Sequence, residues 1–238
     1  MCGILGIFRS TLSENELRSK LIDCAQKLRH RGPDWSGYHI VGNGRHGIAH
    51  ERLAVIDPES GAQPLKSHDG KVTLSANGEI YNYKELYQQL STPYEPVTGS
   101  DCEAIIPMYL EKGMDFLNYL RGMFAFFIYD ERDDSFFAAR DHLGIVPLYI
   151  GWKNDGSVWI SSEMKALVHD CRTLKVFPPG HYYSSKLKGF TMWYNPIYRQ
   201  LKEHPKKPVN YENLRHSFTK AVVRRMMSDV PWGVLLSG

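Results

Sequence analysis

Apolar runs and amphipathic stretches follow one another along the chain in blocks. Residues 1–8 form a short apolar run with two glycines, the pattern of a buried strand whose backbone passes close to a neighbour. Ser13 and Glu16 stand at capping-box spacing, and Leu17, Leu21, Cys24, Ala25 and Leu28 recur at helical intervals. They predict an amphipathic helix over 14–29, ended by His30-Arg-Gly-Pro-Asp34. From 37 to 77, runs rich in Val, Ile, Leu and Tyr are broken by Gly, Asn, Asp and Pro, which reads as strands and turns. Asn82 with Glu85 and Ser100 with Glu103 repeat the capping-box spacing; the second helix carries Ile105, Ile106, Tyr109 and Leu110 and ends at Gly113. Strand-like segments follow at 123–130, 135–140, 148–152, 158–162 and 180–184. Strands and helices in blocks, without strict alternation, predict an α+β fold with antiparallel sheets. Two stacked sheets with helices on each outer side would bury all these elements.

The stretch 201–208 is polar, basic and proline-bearing, and reads as a linker. Beyond it Asn210 is placed to cap a helix with Leu214, Phe218, Ala221, Val222 and Met226 on one face. Residues 231–238 read as a short strand running into a Ser-Gly turn. The expected division is therefore a domain over 1–200, a linker over 201–209, and the incomplete start of a second domain over 210–238.

Composition narrows the function classes. With 42% hydrophobic, 23% charged and 12% aromatic residues, the 238-residue chain is an ordinary globular composition and not a disordered one. A net charge of +3 gives no reason to expect a nucleic-acid partner. The longest apolar run, near 123–129, falls far short of the ~20 residues that cross a bilayer. No leader pattern is visible at residue 1. Four dispersed cysteines exclude a zinc ribbon or a Cys-x-x-Cys redox motif. The expectation is a reduced, cytoplasmic enzyme without membrane contact.

Cys2 carries the most chemistry. Removal of Met1 would leave a thiol of pKa about 8.5 beside an α-amine of pKa about 7.7–8.0, joining nucleophile and base in one residue. The competing reading is a small buried residue that happens to follow Met. Asn77-Gly78 is either a hairpin turn or an oxyanion hole made of a side-chain amide and a backbone N–H. Arg52 and Asp101 could hold the carboxylate and ammonium of an amino acid, or be a surface charge and a helix-start carboxylate. Gly42-Asn-Gly-Arg-His-Gly47 fits Gly-x-Gly-x-x-Gly, but the strand-like residues after it make it a glycine-rich hairpin. His50-Glu51 lacks the second histidine of a zinc site, so no metal is implied.

Several co-linear motifs are familiar. Met1-Cys-Gly-Ile, Arg29-His-Arg-Gly-Pro-Asp34, His50-Glu-Arg-Leu-Ala-Val-Ile-Asp57, Asn77-Gly-Glu-Ile-Tyr-Asn82 and Gly99-Ser-Asp101 resemble the glutaminase domain of class II, N-terminal-nucleophile glutamine amidotransferases. Gly61-Ala-Gln-Pro-Leu65, Arg140-Asp-His-Leu-Gly-Ile-Val-Pro-Leu-Tyr149, Ser162-Glu-Met-Lys-Ala-Leu167 and Met227-Ser-Asp-Val-Pro-Trp-Gly-Val-Leu-Leu-Ser-Gly238 narrow the resemblance to glutamine-hydrolysing asparagine synthetases.

The resemblance implies a four-layer αββα sandwich over 1–200, followed by the first helix and strand of an α/β synthetase domain. It implies Cys2 as nucleophile with its own α-amine as base, and Asn77 and Gly78 as the oxyanion hole. Glutamine would be held by Arg52 and Asp101, in a pocket lined by Arg52, Leu53, Ala54, Val55, Ile56, Asn77, Gly78 and Glu79. Glutamine hydrolysis needs no cofactor; in the family the ammonia reaches a second domain where ATP and Mg²⁺ activate aspartate. A homodimer is the family expectation. Leu235, Ser237 and Gly238 correspond to only the start of the family's nucleotide loop, and several consecutive backbone N–H groups are needed to cradle pyrophosphate. A fragment able at most to hydrolyse glutamine is therefore expected. Two rivals remain: an amidotransferase serving another acceptor, and a non-catalytic module that kept the fold.

Overall fold

The strand β1 (Gly3–Phe8) is buried at all six positions, because it lies inside a sheet covered on both faces. In the computed structural model, which describes residues 1–199, 201 and 208–236, β1 is flanked by β3 (His46–Arg52) and β9 (Val158–Ser161), antiparallel to both. The first sheet runs β10 (Thr173–Val176), β8 (Tyr149–Trp152), β9, β1, β3, β2 (Trp35–Val41). The second runs β12 (Gly189–Met192), β11 (His181–Ser184), β7 (Ser135–Arg140), β6 (Gly122–Asp130), β5 (Val72–Ile80), β4 (Leu65–Lys66).

The side-chain period of two sorts each strand between layers. From β1, Leu5 and Ile7 pack outward against Leu17 and Leu21 of α1 (Glu14–Gln26), while Ile4 and Phe8 point inward. From β6, Phe124, Phe126 and Ile128 pack toward α3 (Ile105–Lys112) and Leu86 of α2 (Tyr83–Gln88). Ala125, Phe127 and Tyr129 face the other sheet. Phe8 of one sheet stacks on Phe136 of the other at 4.2 Å and meets Phe127 edge-on at 5.5 Å. The four-layer αββα expectation holds: helix, sheet, sheet, helix.

Local signals hold unevenly. The Ser13–Glu16 capping box forms in both directions, and Asn210 accepts from the Asn213 N–H at 2.9 Å to start α4 (Tyr211–Arg224). The other two capping boxes do not form. The Asn82 side chain instead donates to Tyr119 O and accepts from Arg121 N–H, and Glu103 accepts from Tyr94, Val97 and Thr98. Longer-range partners take both side chains away from the helix starts. The helix predicted over 14–29 stops at Gln26, where a tighter Leu28 N–H to Ala25 O bond turns the chain. The turn leads to Gly32, where a Cβ would lie 2.1 Å from Glu51 O. The glycine-rich hairpin appears as expected, Gly42 and Gly44 at positive φ between β2 and β3.

Two short strands, β10 and β12, were not anticipated, and among the described residues of the strand expected over 231–238 none is in a strand. Leu235 and Leu236 are fully exposed; a strand needs a hydrogen-bonded neighbour, and none lies beside them among the described residues. Lys202 to Lys207 of the expected linker, with Ser237 and Gly238, lie outside the described residues. No helix among the described residues is long and apolar enough to cross a membrane.

Because Phe127 is fully buried where the sheets meet, Phe127→Ala should cost about 3–5 kcal/mol. Urea unfolding followed by tryptophan fluorescence measures it.

Candidate active site

The register of β1 against β3 pairs Gly3 with Glu51, so Cys2 emerges beside Arg52 and Leu53 at the sheet's end. Its Sγ accepts from the Leu53 N–H at 3.3 Å and lies 3.6 Å from Leu53 O. Arg31 Nε donates to Cys2 O at 2.9 Å, and Arg31 is held by Glu163 at 3.0 Å. Burial raises the Cys2 thiol pKa above its ordinary value; the Leu53 N–H and nearby positive charges offset this only in part. In this state the group is a thiol and needs a base.

Across the cavity, Asn77 and Gly78 lie within β5, opposite Ala125 and Phe124 of β6, and not at a turn. The hairpin reading of Asn-Gly is thereby removed. Gly78 sits at φ 150° with β6 so close that a Cβ would meet Met123 O at 2.1 Å. By alternation Asn77 shares the inner face with Thr73 and Ser75, and Ser75 spans the two sheets to His50 at 3.1 Å. The Asn77 side chain is fully buried, and both its amide nitrogen and oxygen lack a protein partner. A buried amide with neither group paired is costly unless something else fills the demand.

Arg52 is nearly buried, its guanidinium donating to the carbonyls of Ile56 at 3.0 Å, of Pro58 at 3.2 Å and of Asp57. Asp101 Oδ2 accepts from the Ile80 N–H at 2.5 Å. Burial drives the Asp101 pKa up to about 6, against the pull of backbone N–H groups. Glu79 is also raised, by burial first and by the Asp101 charge second. The pocket thus holds an anchored cation at one place and carboxyls short of positive charge at another.

A cavity of about 70 Å³ joins these groups: Met1, Cys2, Arg52, Leu53, Val55, Ile56, Asn77, Gly78, Glu79 and Asp101 all line it. Of the residues expected there, Ala54 alone is not among them; its N–H is turned to Asp34 Oδ2 at 2.9 Å. Gln63, Gly61, Ser100 and Met123 line the cavity unforeseen, as does the supporting role of Arg31. Gln63 and Arg31 sit inside motifs already noted, but nothing local shows that the Gln63 amide accepts from Ala76 across the site. Leu235, expected at a nucleotide loop, stands fully exposed. No group of three or more His, Cys, Asp or Glu among the described residues is placed to hold a metal ion.

The model of the glutamine amidotransferase domain matches residues 1–203. The chain belongs to that family. Over all 238 residues it is 52% identical to asparagine synthetase [glutamine-hydrolyzing] 2 of Arabidopsis thaliana and 52% identical to the asparagine synthetase [glutamine-hydrolyzing] of Zea mays. It spans 40% of the length of each. Among solved structures, the glutamine phosphoribosylpyrophosphate amidotransferase from B. subtilis superposes with a TM-score of 0.62 at 22% identity, over 80% of this chain and 48% of that one. An allosteric regulatory enzyme of purine biosynthesis gives 0.64 at 24% identity, over 79% and 48%. These two show a shared amidotransferase-like fold.

With Met1 in place, Cys2 should alkylate slowly at neutral pH. A raised pKa leaves less thiolate at pH 7, so the iodoacetamide rate, followed by peptide mass, should have its midpoint above about 8.5, the value for an unperturbed thiol.

Proposed function

We propose that the chain is the glutamine-hydrolysing unit of an asparagine synthetase, with Cys2 as nucleophile. The observation that carries this is the convergence of Cys2 Sγ and the unpaired Asn77 amide on one cavity walled by Arg52 and Asp101.

Three of the five Arg52 N–H donors are engaged by loop carbonyls, which leaves two for a substrate carboxylate. The Asp101 carboxylate receives the α-ammonium. Loss of Met1 frees the Cys2 α-amine and takes away part of the cavity wall, so one cleavage supplies both base and room. The amine then accepts the thiol proton as Sγ attacks the carboxamide carbon of glutamine. The Asn77 Nδ2 and the Gly78 N–H stabilise the resulting oxyanion. Collapse transfers the proton to the departing nitrogen as ammonia, and water hydrolyses the thioester to glutamate. The identity to proteins named asparagine synthetase, far above that to the phosphoribosylpyrophosphate enzyme, favours aspartate as the eventual acceptor of the ammonia. That ATP-dependent step would belong to protein outside the 40% of those relatives that this chain spans.

Glutamate release by the Met-free chain tests the reading. Cys2→Ala should abolish it, and Asn77→Ala should lower kcat by about 10²–10³ with the fold intact; release unchanged in Cys2→Ala would refute the mechanism. Asp101 predicts a pH effect. Its carboxyl is neutral below about 6 and charged above, and only the charged form attracts an ammonium. The KM for glutamine should therefore rise as pH falls through 6, in initial-rate measurements from pH 5 to 8.

A further inference from the structure

The segment that follows α4 folds back onto the loop holding the pocket's cation. Asp229 is bonded to that loop twice: its backbone N–H donates to Val55 O at 3.0 Å, and its Oδ2 accepts from the Asp57 N–H at 2.8 Å. These two bonds bracket Ile56. The carbonyls of Ile56, Asp57 and Pro58 in turn grip the Arg52 guanidinium. Nearby, Arg225 lies over the Tyr81 ring at 5.5 Å, one residue beyond Ile80, whose N–H donates to Asp101. One short segment thus touches both the loop behind Arg52 and the strand end behind Asp101.

The loop has other supports, each placed elsewhere. Asp34 holds its start through the Ala54 N–H. The Asp57 side chain accepts from Ser60 and Gly99 N–H. Neither reaches the Val55 carbonyl or the Asp57 N–H, which Asp229 takes.

We propose that Asp229 is a positioning residue for glutamine recognition: it locks the backbone of Val55 to Asp57, and through those carbonyls sets Arg52 for the substrate carboxylate. The proposal rests on the glutamine-hydrolysing reading above. Its consequence is that glutamine affinity depends on how the segment behind α4 is seated. Asp229 is exposed, so water competes for its bonds and the seat is reversible. A displacement of this segment would loosen Arg52 without touching Cys2 or Asn77, which couples the two parts of the chain through the loop.

The test compares Asp229→Ala and Asp229→Asn in the Met-free 238-residue chain, reading glutaminase kinetics and amide hydrogen exchange together. Asp229→Ala should raise the KM for glutamine about five- to ten-fold and leave kcat within about two-fold, the scale expected for one lost hydrogen bond of ordinary strength. Asp229→Asn keeps a side-chain oxygen for the Asp57 N–H and should restore KM. Exchange should quicken in peptides covering 53–58 in the Ala variant only, with β6 unchanged. Wild-type KM and exchange in Asp229→Ala would overturn the proposal. So would a loss of kcat accompanied by faster exchange throughout, since that marks general destabilisation. Should the parent chain release no glutamate, exchange alone decides the clamp: quickening confined to 53–58 upholds it while the glutaminase reading fails, and no change defeats it.

Discussion

The antiparallel register of β1 with β3 is the constraint on which the site depends. Pairing Gly3 with Glu51 sets residue 2 beside the exit of β3, and the Leu53 N–H reaches Cys2 Sγ there. Because side chains alternate, Cys2 shares the inward direction of Ile4 and Phe8, toward the second sheet. Asn77 has the same inward sense on β5, continuing Thr73 and Ser75. The aromatic layer around Phe8, Phe127 and Phe136 fixes how the sheets stack, and so brings the two inward-facing polar residues to one cavity. A slip of one residue in either strand would reverse its inner and outer faces and take the thiol or the amide out of the site.

Within that frame, polar groups fall into two kinds. Arg140 is buried, and each of its three guanidinium nitrogens donates to a carbonyl at 2.7 Å, those of Gly144, Val146 and Phe177. Asp141 beside it accepts from Leu143, Gly144 and Ile145 N–H. This pair shapes the β7–β8 connection. The cavity groups are different: Asn77 has no protein partner, Asp101 is raised to about 6, and the Cys2 thiol is raised as well. Unmet demand gathered in one small space is how a binding site differs physically from a well-paired core.

The part of the chain beyond residue 208 is attached by different forces. Leu214, Phe218 and Val222 of α4 remain exposed, so burial does not fix this helix to the sandwich. Its downstream segment is seated instead by Asp229 on the Val55–Asp57 backbone and by Arg225 on Tyr81. Polar contacts at a surface are individually weak and exchange readily with water, which suits a joint able to report on its own position.

Much of the fold was legible in order along the chain. The apolar run at 1–8, the capping of α1 by Ser13 and of α4 by Asn210, and the hairpin at 42–47 depend on residues a few positions apart, so local pattern suffices. The proposal for Cys2 was readable for the same reason: it rests on the residue's own neighbours in the chain. Asn77-Gly78 was not, because the same dipeptide serves a turn or a strand, and only pairing with Ala125 and Phe124 selects the strand. The capping spacings at Asn82 and Ser100 misled because partners outside the helix starts took Asn82 and Glu103. Arg31, Gln63 and Asp229 act across larger gaps, Asp229 meeting Asp57 from 172 positions away. Sequence alone determined which residues could do chemistry and that the strands would stack as two sheets between helices. The tertiary structure decided which of them meet, because closing such loops depends on the packing of both sheets and leaves no periodic trace.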